Sequence, residues 1–197
     1  MSNQPNILHL FTDQQRVDSI RALGHSFLQT PHLDWLVKTG TTFDSAYTPV
    51  AECVPARASM ITGMYADKTG CGSNADAMPP EDHPTLMSLL TEAGYRTHGI
   101  GKCHFTPDPW AMRGFESRDT QEEIASDPDH DDYLKSVSAA VYDHVLEPHG
   151  IRGEMYYTPQ PSQVPAAHHP TQWVGDRSID FLKKQKKSKF PWYLYAG

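Results

Sequence analysis

The chain has 197 residues, a formal net charge of −7, 38% hydrophobic and 21% charged residues, which is the composition of an ordinary globular domain. Its one basic run, from Lys183 to Lys189, predicts the solvated end of a helix and not the basic face of a nucleic-acid-binding protein. No span approaches the roughly 20 apolar residues of a membrane helix, and no signal-peptide pattern follows Met1, so we predict a cytoplasmic protein without membrane contact.

The chain begins with an apolar segment, Asn6–Thr12, which predicts a buried strand that ends at the carboxylate of Asp13. Active sites of open α/β sheets lie at such strand ends. A helical pattern opens at Pro31 and stops at Gly40. The next segment, Thr41–Tyr47, is a second strand candidate.

Further elements alternate along the rest of the chain. Residues from Pro55 suit a short helix that ends near Gly63, and Thr85–Glu92 is a clearer helix with its leucines on one face. The strand candidate Tyr95–Gly101 follows. An amphipathic helix is predicted over Thr171–Lys187, and it leads into the apolar strand candidate Trp192–Tyr195.

Two features suggest how the chain is organised as a domain. Residues 118–170 are polar, with one plausible helix over Asp131–Leu146, and predict an insertion that bears on substrate choice. The chain ends on an apolar strand, and a buried parallel strand needs neighbours on both edges. We therefore expect a chain cut within one domain, its last strand lacking a partner.

Three cysteines, Cys53, Cys71 and Cys103, form no C-x-x-C pair, so neither a disulfide framework nor a zinc site is indicated. Cys71 and Cys103 are predicted to be free thiols. Cys53 differs because it opens Cys-Val-Pro-Ala-Arg, and a fixed C-x-P-x-R should arise by accident in well under about one chain of this length in fifty.

The residue types of this segment suit anion chemistry. A cysteine just before a helix lies where backbone N–H groups and the helix dipole favour an anion. Pro55 suits the first helical turn because its missing N–H needs no partner there. Arg57 supplies a permanent charge and a rigid set of donors near the cysteine.

The segment from Cys53 to Gly63 resembles the sulfatase motif, in which the cysteine is oxidised to formylglycine. Other landmarks occur in the family's order: Asp13-Gln14, Thr30-Pro31-His32-Leu33-Asp34, Gly94-Tyr95-Arg96-Thr97 and Gly101-Lys102-Cys103-His104. The chain thus resembles the N-terminal part, residues 1–197, of a sulfatase catalytic domain of the alkaline phosphatase superfamily. The resemblance implies an α/β sandwich, here truncated, with a mostly parallel central sheet flanked by helices.

The resemblance also implies a mechanism. A formylglycine-generating enzyme would convert Cys53, the aldehyde would be hydrated to a gem-diol, and one hydroxyl, bound to a divalent cation, would attack the sulfur of a sulfate ester. Asp13, Gln14 and residue 53 would be metal ligands, with calcium favoured and magnesium or manganese as alternatives. Arg57 is implied to act beside the nucleophile.

Two further catalytic residues, Lys102 and His104, lie two apart after a strand, so their side chains point to the same side if the strand geometry persists. By the resemblance, Lys102 neutralises ester oxygens and His104 assists proton transfer. Asn74 and His169 are the candidate substrate-binding residues, with a surface loop position as the alternative for each.

Three functions remain open at this point. Many sulfatases have a second Asp where this chain has Gln14, and the Asp-Gln form resembles choline sulfatases and phosphonate monoester hydrolases. The favoured function is hydrolysis of a small-molecule sulfate ester; the alternatives are phosphonate monoester or phosphodiester hydrolysis, and a non-catalytic half-fold that binds a partner. The family's P-H-x-P histidine, an Asp-Asn or Asp-His metal pair and a second lysine are missing, so we expect the chain alone to be inactive. A homo-oligomer is left open.

Overall fold

The computed structural model describes residues 4–122, 127, 129–137, 158–162 and 164–197. A four-stranded sheet lies at its centre, in the order β1-β4-β2-β3, with every neighbouring pair parallel. The strands are β1 (Ile7–Leu10), β2 (Arg96–Gly101), β3 (Ser117–Thr120) and β4 (Trp192–Ala196). Because all four run in one direction, their carboxyl ends meet at one edge of the sheet.

The last strand, β4, lies inside the sheet and has a partner on each side. Leu194 is in register with Leu8 of β1 on one side and with His98 of β2 on the other. The expectation that this strand would lack a partner is therefore wrong. Strands from far earlier in the chain flank it, and this pairing buries Tyr193, Leu194 and Tyr195 to 2% exposure or less.

Six α-helices are found among the described residues, together with 3-10 turns at Val17–Ser19, Arg21–Leu23 and Ala166–His168. The helices are α1 (Pro31–Thr39), α2 (Cys53–Thr62), α3 (Ala66–Thr69), α4 (Leu86–Glu92), α5 (Asp132–Ser136) and α6 (Pro170–Gln185). Lys183 and Lys184 lie in the last turn of α6, as predicted for the basic run. Within the described ranges, no helix is long and apolar enough to cross a membrane.

Helices cover both faces of the sheet. On one face, Tyr193 and Tyr195 pack in the main core with buried residues of α2 and α4, among them Val54 and Met87. On the other face, the ring of Phe181 from α6 stacks on His98 with centroids 4.9 Å apart. This layered arrangement is the α/β sandwich that the sequence predicted.

The strand candidate Thr41–Tyr47 is wrong. These residues form an irregular loop whose aromatic side chains face solvent, with Phe43 79% and Tyr47 90% exposed. A strand is stabilised by its pairing partners and by packing of one face, so β-compatible residues alone do not form one.

Strand β3 was not predicted from the sequence; it opens the polar segment and pairs with β2 through Ile100 and Asp119. The helix predicted over Asp131–Leu146 begins where expected, as α5. The Asp131 side chain caps its N-terminus by accepting the N–H of Leu134. Helix α5 ends at Ser136. The rest of the predicted helix, from 138 to 146, lies outside the described residues.

Candidate active site

Cys53 is the first residue of α2, at the point where the chain enters the core. Glu52 before it is extended, Pro55 lies in the first helical turn, and Gly63 ends the helix in the left-handed conformation at φ 70°. Cys53 is half-buried, whereas Cys71 and Cys103 are buried; all three are free thiols, as predicted for Cys71 and Cys103. Burial raises the pKa of the Cys103 thiol to about 11.

Arg57 lies one turn after Cys53 and is 2% exposed. Its guanidinium donates to Asp13 Oδ2 at 3.0 Å, to the Tyr195 hydroxyl at 2.7 Å and to the backbone carbonyl of Lys102. It also lies over the Phe11 ring, 4.9 Å from the centroid. A buried cation is costly unless it is paired and hydrogen-bonded, and here the guanidinium has partners from three strand ends.

The ammonium group of Lys102 joins Asp13 to Cys53. Its Nζ lies 3.0 Å from Asp13 Oδ2 and 3.9 Å from Cys53 Sγ. The structure thus brings together four residues that the sequence predicted to be functional: Asp13, Cys53, Arg57 and Lys102. Burial disfavours the Asp13 carboxylate, but hydrogen bonds and charges from Lys102 and Arg57 outweigh burial and hold its pKa below the ordinary value.

The oxygen donors predicted for a cation fit in type but not in number. Asp13 carries a carboxylate suited to a hard cation, and the next residue, Gln14, adds an amide oxygen. Such a cation takes roughly six or more oxygens. Within the described part of the chain, no group of three or more His, Cys, Asp or Glu side chains could hold a metal. Further ligands would have to come from elsewhere.

The loop that follows β2 does not continue the strand. Gly101 has φ 85° and His104 has φ 50°, so side-chain alternation does not extend from Lys102 to His104, and the argument used to predict their shared orientation does not hold. Gly101 is required here, since a Cβ at this position would lie 1.9 Å from the carbonyl oxygen of Gly197. The role of His104 stays a prediction.

Asn74 lies at the N-terminus of α2, beside Cys53. Its Oδ1 accepts the N–H of Val54 at 2.9 Å, and its own N–H donates to Glu52 Oε2 at 2.9 Å. Asn74 therefore caps α2 from a loop distant in the sequence. The helix N–H groups were expected to bind an anion, but that of Val54 already donates to a protein oxygen. The predicted role in substrate binding stays untested.

His169 lies at the N-terminus of α6, where its Nδ1 accepts the N–H of Thr171 at 3.2 Å. This local cap is a structural role at a helix start. A place for His169 in the substrate pocket remains a prediction, because the contacts described for it do not reach Cys53.

The sulfatase family profile matches residues 5–197. The chain belongs to the sulfatase family. An arylsulfatase of Clostridium perfringens is 32% identical over 97% of this chain and 42% of its own length. An N-acetylglucosamine-6-O-sulfatase of Bacteroides thetaiotaomicron is 27% identical over 95% of this chain and 29% of its own length.

Solved structures extend the likeness to the fold. A phosphonate monoester hydrolase from Silicibacter pomeroyi superimposes with a TM-score of 0.72 at 24% identity, over 98% of this chain and 41% of that protein. A protein solved with its substrate D-glucosamine-2-N,6-O-disulfate gives 0.67 at 25% identity, over 98% of this chain and 34% of that protein. The sulfatase chain has the alkaline-phosphatase-like fold, and it spans less than half the length of these relatives.

Two residues of this sulfatase site were missed from the sequence. The Tyr195 hydroxyl donates to the Lys102 carbonyl at 3.1 Å, yet in the sequence it is one aromatic residue in an apolar strand. The Glu122 carboxylate accepts the N–H groups of Cys103 and His104 at 2.9 Å each. It stands in an acidic, polar stretch that gives no periodic signal, so nothing in the sequence distinguished it.

Proposed function

We propose that the protein to which this chain belongs hydrolyses small-molecule sulfate esters, with residue 53 in its formylglycine form as the nucleophile. The observation that supports this most strongly is the convergence of Cys53, Lys102 and Asp13 at the carboxyl edge of the sheet. The names of the curated relatives, an arylsulfatase and an N-acetylglucosamine-6-O-sulfatase, favour an aryl or sugar sulfate.

Each residue of the proposed site has an assigned role, and the contacts of Lys102 and Arg57 support theirs. Lys102 is close enough to residue 53 to neutralise the oxygens of an ester placed there. Arg57 is buried and hydrogen-bonded to Asp13 and to the Lys102 carbonyl, so its proposed role is to hold both in place beside residue 53. His104 is the proposed proton-transfer group, and Asn74 and His169 are the proposed pocket residues.

Asp13, Gln14 and residue 53 would hold a divalent cation, with calcium proposed and magnesium or manganese as alternatives, together with ligands from outside the described residues. The cation would supply Lewis-acid stabilisation of the ester oxygens. In the structure, Asp13 Oδ2 lies close to both Lys102 and Arg57, so those two cations hold the carboxylate in its ionised form.

The test uses the intact protein made with a formylglycine-generating system, its proposed modifying partner. Mass spectrometry of the peptide containing Cys53 should show the thiol replaced by an aldehyde that reacts with a hydrazide probe. Cys53→Ala should remove turnover, and Lys102→Ala should lower kcat by about a hundredfold. An unmodified Cys53 in fully active enzyme would contradict the proposed nucleophile.

A second candidate function is favoured by Gln14, since the Asp-Gln form is the one that resembles phosphonate monoester hydrolases. Relative turnover of an aryl sulfate and an aryl phosphonate by the intact protein separates the two. If kcat/KM is higher for the aryl phosphonate than for the aryl sulfate, phosphonate esters and not sulfate esters are the substrate class. Aldehyde-bearing protein that turns over neither substrate would favour the non-catalytic alternative.

A further inference from the structure

Glu122 is a buried carboxylate outside the set of residues assigned to the reaction. Its side chain is 2% exposed, and its two oxygens accept different backbone N–H groups, Oε1 that of Cys103 and Oε2 that of His104. Arg118 Nη2 also donates to Oε1 at 2.9 Å. Burying a carboxylate is costly, and three donors compensate that cost.

The two N–H groups belong to the loop that carries Lys102. On the opposite side of this loop, the Lys102 carbonyl accepts from Arg57 and from the Tyr195 hydroxyl. The loop is therefore held from both sides, its N–H groups by Glu122 and a carbonyl by Arg57 and Tyr195. Since the backbone here leaves strand geometry, these side-chain contacts take the place of ladder hydrogen bonds in fixing it.

Glu122 is itself held by neighbours from other segments of the chain. Its N–H donates to Asp131 Oδ2 at 2.9 Å. The guanidinium of Arg118 donates to the carbonyls of Pro109 and Ala111 at 2.9 and 2.7 Å and lies over the Phe105 ring. Arg118 of β3 and Asp131 thus hold Glu122 behind the loop that carries Lys102.

We propose that Glu122 is a positioning residue: it sets the loop from Lys102 to His104 at the distance from residue 53 that the reaction needs, without contacting the substrate. The proposal rests on the proposed function for its effect on turnover. Its effect on the loop is independent of that function, so the two can fail separately.

The decisive variant is Glu122→Gln in the intact, formylglycine-bearing protein. A glutamine amide offers one acceptor oxygen and one NH₂, so one of the two loop N–H groups would face a donor. We expect kcat on an aryl sulfate to fall by about ten- to a hundredfold, as a displaced catalytic group does, with KM changed less than about threefold. Hydrogen exchange of the peptide spanning residues 102–105 should speed up by about tenfold or more.

Asp119→Asn is the matched control. Asp119 is a half-buried carboxylate in β3, three residues before Glu122, and it is also paired with an arginine, but its partners are His98 of β2 and Arg177 of α6. The Asp119→Asn substitution should lower Tm. It should change kcat by no more than about threefold and should not speed up hydrogen exchange in residues 102–105.

Two results would overturn the positioning role: unchanged exchange in residues 102–105 of the Glu122→Gln protein, or the same kcat loss in the Asp119→Asn protein. If Glu122→Gln does not fold, Glu122→Asp replaces it, because the shorter carboxylate keeps the charge beside Arg118 but cannot reach both N–H groups. If the wild-type protein hydrolyses none of the esters, hydrogen exchange alone tests the positioning role. Faster exchange in residues 102–105 of the Glu122→Gln protein supports it, and unchanged exchange refutes it.

Discussion

Helices α1 and α2 contrast in how far their sequence patterns agree with their burial. α1 has an apolar stripe, yet none of its residues is buried, and Trp35 is 62% and Leu36 46% exposed. α2 carries no such stripe and includes Arg57 and Ser59. Six of its ten residues are nevertheless buried: Val54, Pro55, Arg57, Ala58, Ser59 and Ile61.

Different forces hold the two helices. α1 is fixed at its start by Asp34, whose Oδ1 accepts the Thr30 hydroxyl at 2.8 Å and the N–H of Ala22 at 2.9 Å. α2 is fixed by packing, and Val54 and Ala58 are fully buried in the main core. The proposed nucleophile, Cys53, therefore lies on the helix whose position the core determines, which would keep its geometry fixed.

The largest effect is expected for Arg57→Ala. It should lower the free energy of unfolding by about 3–5 kcal/mol, because it removes a buried, paired charge and leaves polar partners such as Tyr195 without their donor. Urea unfolding of the chain measures this. Arg57→Lys is the control: it keeps the charge, loses part of the donor set, and should cost less. A loss below about 1 kcal/mol for Arg57→Ala would mean that packing alone positions α2.

The second-largest effect is expected for Ile61→Ala, which should lower the free energy of unfolding by about 2–4 kcal/mol. Ile61 lies on the core-facing side of α2 and is 3% exposed. Ile61→Val, which removes a single methylene group, should cost about 1 kcal/mol. Equal effects of the two substitutions in urea unfolding would show that the core relaxes to fill the space left by the larger truncation.

A smaller effect is expected from acid. The folded-state pKa of Asp13 is lowered: burial opposes ionisation, but Lys102 and Arg57 outweigh it. Its stabilisation is therefore complete above the unfolded-state pKa of about 3.9 and is lost as the pH falls through the lower folded value. Asp13→Asn should flatten this part of the curve of unfolding free energy against pH. A curve identical to that of the wild type would show that Asp13 contributes no pH dependence.

The smallest effect is expected for Trp35→Ala on α1, below about 1 kcal/mol, because a side chain that is largely exposed loses little on truncation. The same urea experiment applies. A loss as large as that of Ile61→Ala would show that α1 is buried in solution, and the contrast between the helices would disappear.

The sequence predicted the site better than it predicted the surroundings of the site. The motif from Cys53 to Arg57 and the residues Asp13 and Lys102 could be found because each combines a chemically distinctive side chain with a helix start or a strand end. Glu122 could not, since its role depends on two backbone N–H groups more than a dozen positions away in the chain. The strand predicted over Thr41–Tyr47 failed because pairing partners, and not propensity, decide whether a strand forms.

The sequence by itself determined the family and the alternation of helix and strand, and it supplied Cys53 as the proposed nucleophile, because these depend on local pattern and on side-chain chemistry. Only the tertiary structure decided that β4 lies between β1 and β2, that Asn74 caps α2, and that Glu122 faces the loop after β2. Each of these is a contact between distant segments. Such contacts depend on how strands pair and how helices pack, and a linear pattern of residues does not carry that information.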